Sequence, residues 1–264
     1  MRASLATLQL LAPTDLSIML VGESGTGKTR LARAVHEEGP SASGRFIVLA
    51  KAANAETIAR EFALARGGTL LIEDVAELSF EAQTQLLSLL DAGVETVRPL
   101  STTQRELEGD VLAGRFSREL YFRLAGAVVR IPTLRERAAD LPVLARELLD
   151  ELGRPELSVS SAALERLRDD DRPGNVQTLR DTLLESARRA EHGMIEPQHL
   201  PSLQPLSDSE RLTRLPLAGL PLGPLEHAAI VQTLALCRGN KVRAARVLGI
   251  AVSTLYEKLK RHGL

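Results

Sequence analysis

A chain of 264 residues with one cysteine, Cys237, forms no intrachain disulfide and no cysteine-rich zinc site. Tryptophan is absent and aromatics make up only 3% of the chain, so a core must be assembled from Leu, Ala, Val and Ile. No apolar run approaches the ~18–20 residues that a membrane-spanning helix needs. The opening stretch MRASLATLQLLAPTD is interrupted by Thr, Gln, Pro and Asp and lacks the apolar centre of a secretion signal. These absences predict a cytoplasmic chain with no membrane partner. No internal repeat is present either.

Charge is plentiful but unevenly placed. From Arg238 to the end there are seven basic residues (Arg238, Lys241, Arg243, Arg246, Lys258, Lys260, Arg261) against one acid, Glu257. That end therefore carries +6, leaving −7 on the first 237 residues of a chain whose net charge is −1. A basic terminal module on an acidic body is the charge layout of a protein whose end touches nucleic acid.

Apolar patterning divides the chain. Residues 17–21, SIMLV, form a short apolar run that passes into a glycine loop and then into an Ala/Leu helical pattern, the order strand, loop, helix. Thr69-Leu70-Leu71-Ile72 fits a buried parallel strand ending in the acids Glu73 and Asp74. Residues 81–90 read as a helix, and 127–131 as a strand stopped by Pro132. Helical patterns dominate from about Asp140 to Ala190, with Ser160 or Ser161 as caps. Five prolines between 201 and 224 mark a linker. The expected division is a parallel-sheet α/β nucleotide-binding part (1–138), a helical lid (139–200), a linker (201–222) and an all-α DNA-binding part (223–264).

The loop Gly22-Glu23-Ser24-Gly25-Thr26-Gly27-Lys28-Thr29 satisfies G-x-x-x-x-G-K-[ST] in full. Its glycines let backbone N–H groups face phosphates, and the helix that follows adds its positive end. Lys28 would neutralise the β- and γ-phosphates, and the Thr29 hydroxyl would take a Mg²⁺ position. ATP or ADP with Mg²⁺ is the expected ligand.

The last 40 residues carry a second signal. Ile230, Leu234 and Cys237 make one apolar stripe of a helix over 225–237, and Asn240 can cap the next helix. Ala245, Gly249 and Leu255 have helix-turn-helix spacing: a small residue at the crossing, a glycine at the turn, an anchor for the second helix. Ser253 and Thr254 open that second helix, where bases are read, with Tyr256 and Glu257 further along; Lys241, Lys258 and Lys260 suit phosphates. The helix from Leu225 would pair two copies on a palindromic DNA site, with Cys237 buried in that pairing.

The segments APTDLSIMLVGESGTGKT, GGTLLIED, AGRFSRELYFRL, IPTLRERAADLP, RPGNVQTLRD and GNKVRAARVLGIAVSTLYEKLKRHGL together resemble the bacterial enhancer-binding proteins, AAA+ regulators that activate sigma-54 RNA polymerase. The resemblance spans nearly the whole chain. It implies an α/β ATPase subdomain, a helical lid, a Fis-type helix-turn-helix that binds double-stranded DNA, higher AAA+ oligomers, and RNA polymerase or a partner regulator as a further partner.

The departures from that family pattern fall on the output machinery. The family's GAFTGA loop, which contacts the sigma factor and moves with hydrolysis, lies in a long insertion just before the segment resembling REFALARGGTLLIED; no such sequence occurs here, and 90–101 is also shortened. No sensory domain precedes the ATPase in this sequence, and the input is expected from a partner protein, from nucleotide level or from abundance alone. The family's Asp-Glu pair, serving Mg²⁺ and the attacking water, stands as Glu73-Asp74, which the resemblance assigns to metal and to catalysis respectively. Gln104 replaces the asparagine that senses the γ-phosphate. Of two intersubunit arginines, one position holds Ser117 beside Arg118 and the other matches Arg123. Gln177 stands where a lid arginine would touch nucleotide, and Arg180, three residues on, can substitute. The expected function is DNA-binding transcription regulation with ATP as a ligand, independent of sigma-54 remodelling and with weak or no hydrolysis. Two alternatives stay open: an active motor using another surface, and a Fis-like architectural protein with a scaffold ATPase domain.

Overall fold

The computed structural model describes residues 1–51, 53–92, 97–168, 174–190, 193–201, 223, 226, 229–231, 233–234, 237 and 240–262. The chain divides into two compact units, 1–203 and 204–264.

The first unit is built on a five-stranded parallel sheet, β1 (Ile18–Val21), β2 (Phe46–Leu49), β3 (Thr69–Ile72), β4 (Arg98–Thr103) and β5 (Ala127–Arg130), in the order β2-β3-β4-β1-β5. Side-chain alternation divides the core between the two faces. Met19, Val21, Leu70 and Ile72 pack with Ile58 and Phe62 of α3 (Ala55–Leu64), Leu86 of α4 (Phe80–Asp91) and Leu120 of α6 (Arg118–Leu124). Ile18, Leu20, Leu71 and Leu100 pack with Leu8 of α1 (Arg2–Leu11) and Ala32 and Val35 of α2 (Lys28–Glu37). Covered on both faces, β1 and β3 are buried throughout, which is why they are continuous apolar runs in the sequence. A short helix, α5 (Glu108–Leu112), joins β4 to α6.

β4 gives no such run, because all its buried side chains except Leu100 are charged or polar. Arg98 is 3% exposed and donates to the carbonyls of Ala12 (3.0 Å), Leu11 (3.1 Å) and Leu16 (3.4 Å), closing the C-terminal end of α1. Thr102 accepts the N–H of Asp74 at 3.0 Å.

His36, near the end of α2, is also buried; its Nδ1 lies 2.8 Å from Thr69 Oγ1 and its ring tilts against Phe46. Burial depresses its pKa below the usual 6.5, opposed by Glu37 and assisted by Arg33 and Arg98. The neutral imidazole is therefore the form that the fold favours. That contribution to stability is complete above pH 6.5 and is lost as pH falls toward the lowered folded-state value. Thermal melts between pH 7 and 5 should show the wild type losing stability faster than His36→Gln; equal slopes would remove His36 from the explanation.

The remainder of this unit is α7 (Leu141–Glu151), α8 (Ser161–Arg168) and α9 (Asn175–Arg189), with β6 (Ser158–Val159) and β7 (Met194–Ile195) paired in parallel. Leu141, Leu148, Leu149, Leu179, Leu183 and Ile195 form its core. Ser160, one of the two expected caps, accepts from Ala163 N at 3.2 Å.

In the second unit α10 (Lys241–Val247) and α11 (Val252–His262) form the helix-turn-helix. Asn240 caps α10 by accepting from Arg243 N at 3.0 Å. Gly249 sits in the left-handed region (φ +68°) with open space around it, so the turn needs glycine for its backbone conformation rather than for room. Ile230, Cys237, Ala244, Ala245, Leu255 and Leu259 make one core, with Leu234 packed against it. Cys237 is thus buried by its own chain, which corrects the expectation that a second copy covers it. The described residues within 226–234 are helical, and the linker expected at 201–222 lies outside the described residues apart from Pro201.

Candidate functional site

Parallel strands place their following loops at one edge of the sheet, and ligands bind outside those carboxyl ends. Val21 lies opposite Thr103, and Ile72 opposite Ser101. The phosphate loop after β1, the acids after β3 and Gln104 after β4 therefore emerge side by side, with Gly22 N donating to Thr103 O at 3.0 Å. They border a cleft of ≈370 Å³, open to solvent, that also reaches Gln177 and Arg180 on α9.

Inside the cleft the side chains satisfy one another. Lys28 Nζ donates to the carbonyls of Gly22 (2.6 Å) and Glu23 (2.9 Å). Burial lowers the pKa of this ammonium, and Asp74, Glu73 and Glu23 oppose that shift. Thr29 Oγ1 donates to Glu73 Oε1 at 2.7 Å. Gln104 Nε2 donates to Asp74 Oδ2 at 3.0 Å. Asp74 occupies the left-handed region (φ +44°), a conformation that few non-glycine residues adopt and that is common at functional sites. Gln177 lines the cleft with its amide toward Asp181 (3.3 Å).

The loop is gripped from the lid side by residues that pattern reading does not single out. Asn175, buried and itself left-handed (φ +52°), donates to Ser24 O (2.9 Å) and Glu23 Oε2 (3.1 Å), and accepts from Leu134 N (2.7 Å). Val176 N donates to Gly25 O at 2.9 Å, and a Cβ on Gly25 would stand 2.0 Å from Gly174 O. Gly25 is thus fixed by close approach of the lid backbone as well as by any ligand. Arg137, buried, donates to Thr26 O at 2.9 Å, and Arg135 pairs with Glu23 at 3.1 Å. Thr26 Oγ1 donates to Glu23 O at 2.8 Å. Glu23 is therefore engaged by the lid rather than aimed into the cleft. A sequence signal for Asn175 did exist: Pro-Gly-Asn at a helix start places a residue that tolerates positive φ where the chain turns.

Arg123 is not in the cleft. It sits on α6 and donates to Leu90 O at 2.7 Å, with Asp91 3.7 Å away. Ser117 caps α6 by accepting from Leu120 N at 3.2 Å, and Arg118 lies over the Phe122 ring. In the second unit Lys258 is paired with Glu226, and the Lys241 ammonium stands 5.0 Å over the Tyr256 ring. Ser253 is exposed and Thr254 half-buried on the first turn of α11; Lys260 belongs to that helix, but its side chain lies outside the described residues. Among the described residues no cluster of three or more His, Cys, Asp or Glu could hold a metal by itself, and no helix is long and apolar enough to cross a membrane.

Fold and cleft define the class: a parallel-sheet P-loop NTPase domain with a helical lid, followed by a helix-turn-helix. The family models agree segment by segment. Residues 2–134 match the sigma-54 interaction domain, 135–212 the AAA+ ATPase lid domain, and 221–262 the Fis family of bacterial regulatory proteins. The chain belongs to the sigma-54 interaction domain family of AAA+ regulators. It is similar to the DNA-binding transcriptional regulator NtrC of Azospirillum brasilense, 30% identical over 316 residues, covering 96% of this chain and 66% of that protein. It is also similar to the response regulator protein PilR of Pseudomonas aeruginosa, 31% identical over 307 residues, covering 100% and 68%. The chain thus spans about two thirds of the length of these relatives. Both alignments are longer than the 264-residue chain, so within the matched spans the relatives carry at least 52 and 43 residues that it lacks. Among solved structures, NtrX from Brucella abortus in complex with ADP superposes with a TM-score of 0.69 at 25% identity, covering 100% of this chain and 67% of that one. The RuvB branch migration motor of Thermotoga maritima shares the fold (TM-score 0.62, 17% identity, 99% and 87% covered).

Proposed function

We propose that this chain is a cytoplasmic, sequence-specific DNA-binding transcriptional regulator whose AAA+ unit holds ATP or ADP as a ligand and acts without remodelling sigma-54 polymerase. The observation that carries the second half is α3, which runs as one unbroken helix from Ala55 to Leu64, through the point just before Arg60 where the family's insertion would stand. A loop projecting from that point has no chain to be made of. The extra residues in the longer alignments to the relatives, and the absence of a GAFTGA-like sequence, support the same reading.

The cleft residues divide the work by chemistry. Lys28 and the loop amides bind phosphate charge, and Gln177 and Arg180 face it from the lid. Thr29 Oγ1 and Glu73, already in contact, are two hard oxygen donors, and this donor set fits Mg²⁺, which keeps several waters and takes few protein ligands. A bound Mg²⁺ would screen phosphate charge there. Asp74, held by Gln104 through its carboxylate and by Thr102 through its backbone N–H, would take a proton of an attacking water, and Arg123 on α6 would serve a neighbouring subunit. NtrX, similar over the whole chain, was crystallised with ATP and with ADP, which supports nucleotide binding here. The second unit is proposed to pair two copies on a palindromic duplex, with RNA polymerase or a partner regulator receiving the output.

Two measurements test this together. The purified chain should bind ATP with turnover near background, and its effect on a reporter promoter should persist in cells lacking sigma-54. Rapid turnover dependent on Arg123 would instead favour a motor working through another surface. Loss of the reporter response without sigma-54 would reject the independent reading.

A further inference from the structure

The exposed surface of the first two turns of α11 is unusually poor in cations for a groove-reading helix. Leu255 and Leu259 are buried against the unit's core. The residues exposed over the first two turns are Val252 (36%), at the start of the helix, Ser253, Tyr256 (52%) and Glu257. No Lys or Arg stands among residues 252–257, and the first cation of the helix, Lys258, is half-buried and paired with Glu226. The Lys241 ammonium is held over the Tyr256 ring from α10, and Arg243 and Arg246 are exposed on α10 as well. Positive charge therefore sits beside the reading helix, on the element that would track phosphates, and not on its base-facing turns.

That separation constrains the bases. The commonest specific contact in the major groove is Arg or Lys donating to guanine O6 and N7. The first two turns of α11 cannot make it. What they present is a branched apolar side chain, two hydroxyls and a carboxylate. Val252 suits the thymine C5-methyl group, and the Glu257 carboxylate accepts from the cytosine N4 amino group. Building on the DNA-binding reading above, we propose that α11 reads its half-site through a thymine methyl contacted by Val252 and a cytosine amino group accepted by Glu257, not through guanine.

The test begins by selecting the preferred duplex of the whole chain from a random pool. The selected duplex is then titrated with each thymine replaced in turn by uracil, which differs only in lacking the methyl group. One position per half-site should lose about fourfold in affinity, the scale of one buried methyl. Val252→Ala should bind the thymine and uracil duplexes alike, whereas Val252→Thr, which keeps a methyl, should still distinguish them. Glu257→Gln should relax the preference at one nearby cytosine, and thermal melts show whether each variant is folded. Equal affinity of the wild type for thymine and uracil at every position overturns the inference while leaving DNA binding standing. Failure to bind any duplex at low salt overturns the DNA-binding reading with it.

Discussion

Lys28→Ala should weaken ATP and ADP binding by about 100-fold or more in calorimetric titration. A lysine ammonium has three donors, and here two are spent on the carbonyls of Gly22 and Glu23, which leaves one for the ligand and fixes where it points. Hydrogen bonds to charged groups contribute ~1.5–3 kcal/mol each, and the upper end of that range is about two orders of magnitude in affinity. The variant also releases two loop carbonyls, so the geometry that aims the amides loosens as well. Lys28→Arg keeps the charge but cannot place a planar fork where a point charge sits between two carbonyls, so it should recover only part of the loss. The same variant separates ligand from scaffold. If nucleotide sets the assembly state, DNA occupancy of the wild type changes on adding ATP and that of Lys28→Ala does not. Occupancy indifferent to ATP in both proteins would leave the AAA+ unit a scaffold, and undiminished affinity in the variant would remove Lys28 from the phosphate site.

Sequence alone made the sheet's apolar strands legible because β1 and β3 are covered on both faces and must be apolar at every position. β4 was not legible by the same rule: beside Leu100 its interior is Arg98, Ser101, Thr102 and Thr103, and of these Arg98, Thr102 and Thr103 hydrogen-bond to nearby backbone. At the cleft the glycine loop and the acids could be found from spacing, since phosphate binding needs consecutive residues. What spacing could not supply was their pairing. Asp74 and Gln104 look like two independent departures from the family pattern, one side chain shorter and the other longer. In the fold they touch at 3.0 Å, the longer amide reaching the shorter acid. Neither change can be judged singly, because their separation of 30 residues hides a contact that only the β3–β4 register creates. In the second unit the caps, the turn glycine and the anchors are all local in sequence, and local rules sufficed. The pairing of Lys258 with Glu226 is not local, and it removes from the phosphate-facing set a lysine that charge counting includes.

The largest effect on stability should come from a residue with no part in charge or catalysis. Asn175→Ala strands the N–H of Leu134 and the carbonyl of Ser24, both satisfied by one side-chain amide at the junction of loop and lid. Both groups are part-buried, so each one left without a partner costs toward the lower end of ~1–3 kcal/mol, and alanine in the left-handed region adds ~1–2 kcal/mol. The sum, about 4 kcal/mol, is a large share of the ~5–15 kcal/mol that holds a domain together, and it corresponds to a fall of roughly 10 °C in Tm for a unit of this size. Asn175→Gly loses the same hydrogen bonds but not the backbone fit, since glycine accepts φ +52° freely; it should melt above Asn175→Ala by a few degrees. Asn175→Asp keeps the acceptor for Leu134 but turns a donor toward Glu23 and Ser24 O into a second acceptor. It should stay closer to wild type in Tm than alanine does, yet bind nucleotide more weakly, because the repelled Glu23 and Ser24 belong to the phosphate loop itself. If all three variants melt together, the amide's hydrogen bonds and the left-handed backbone are not what holds the lid to the loop, and the close approach of Gly25 to Gly174 is left to do it alone.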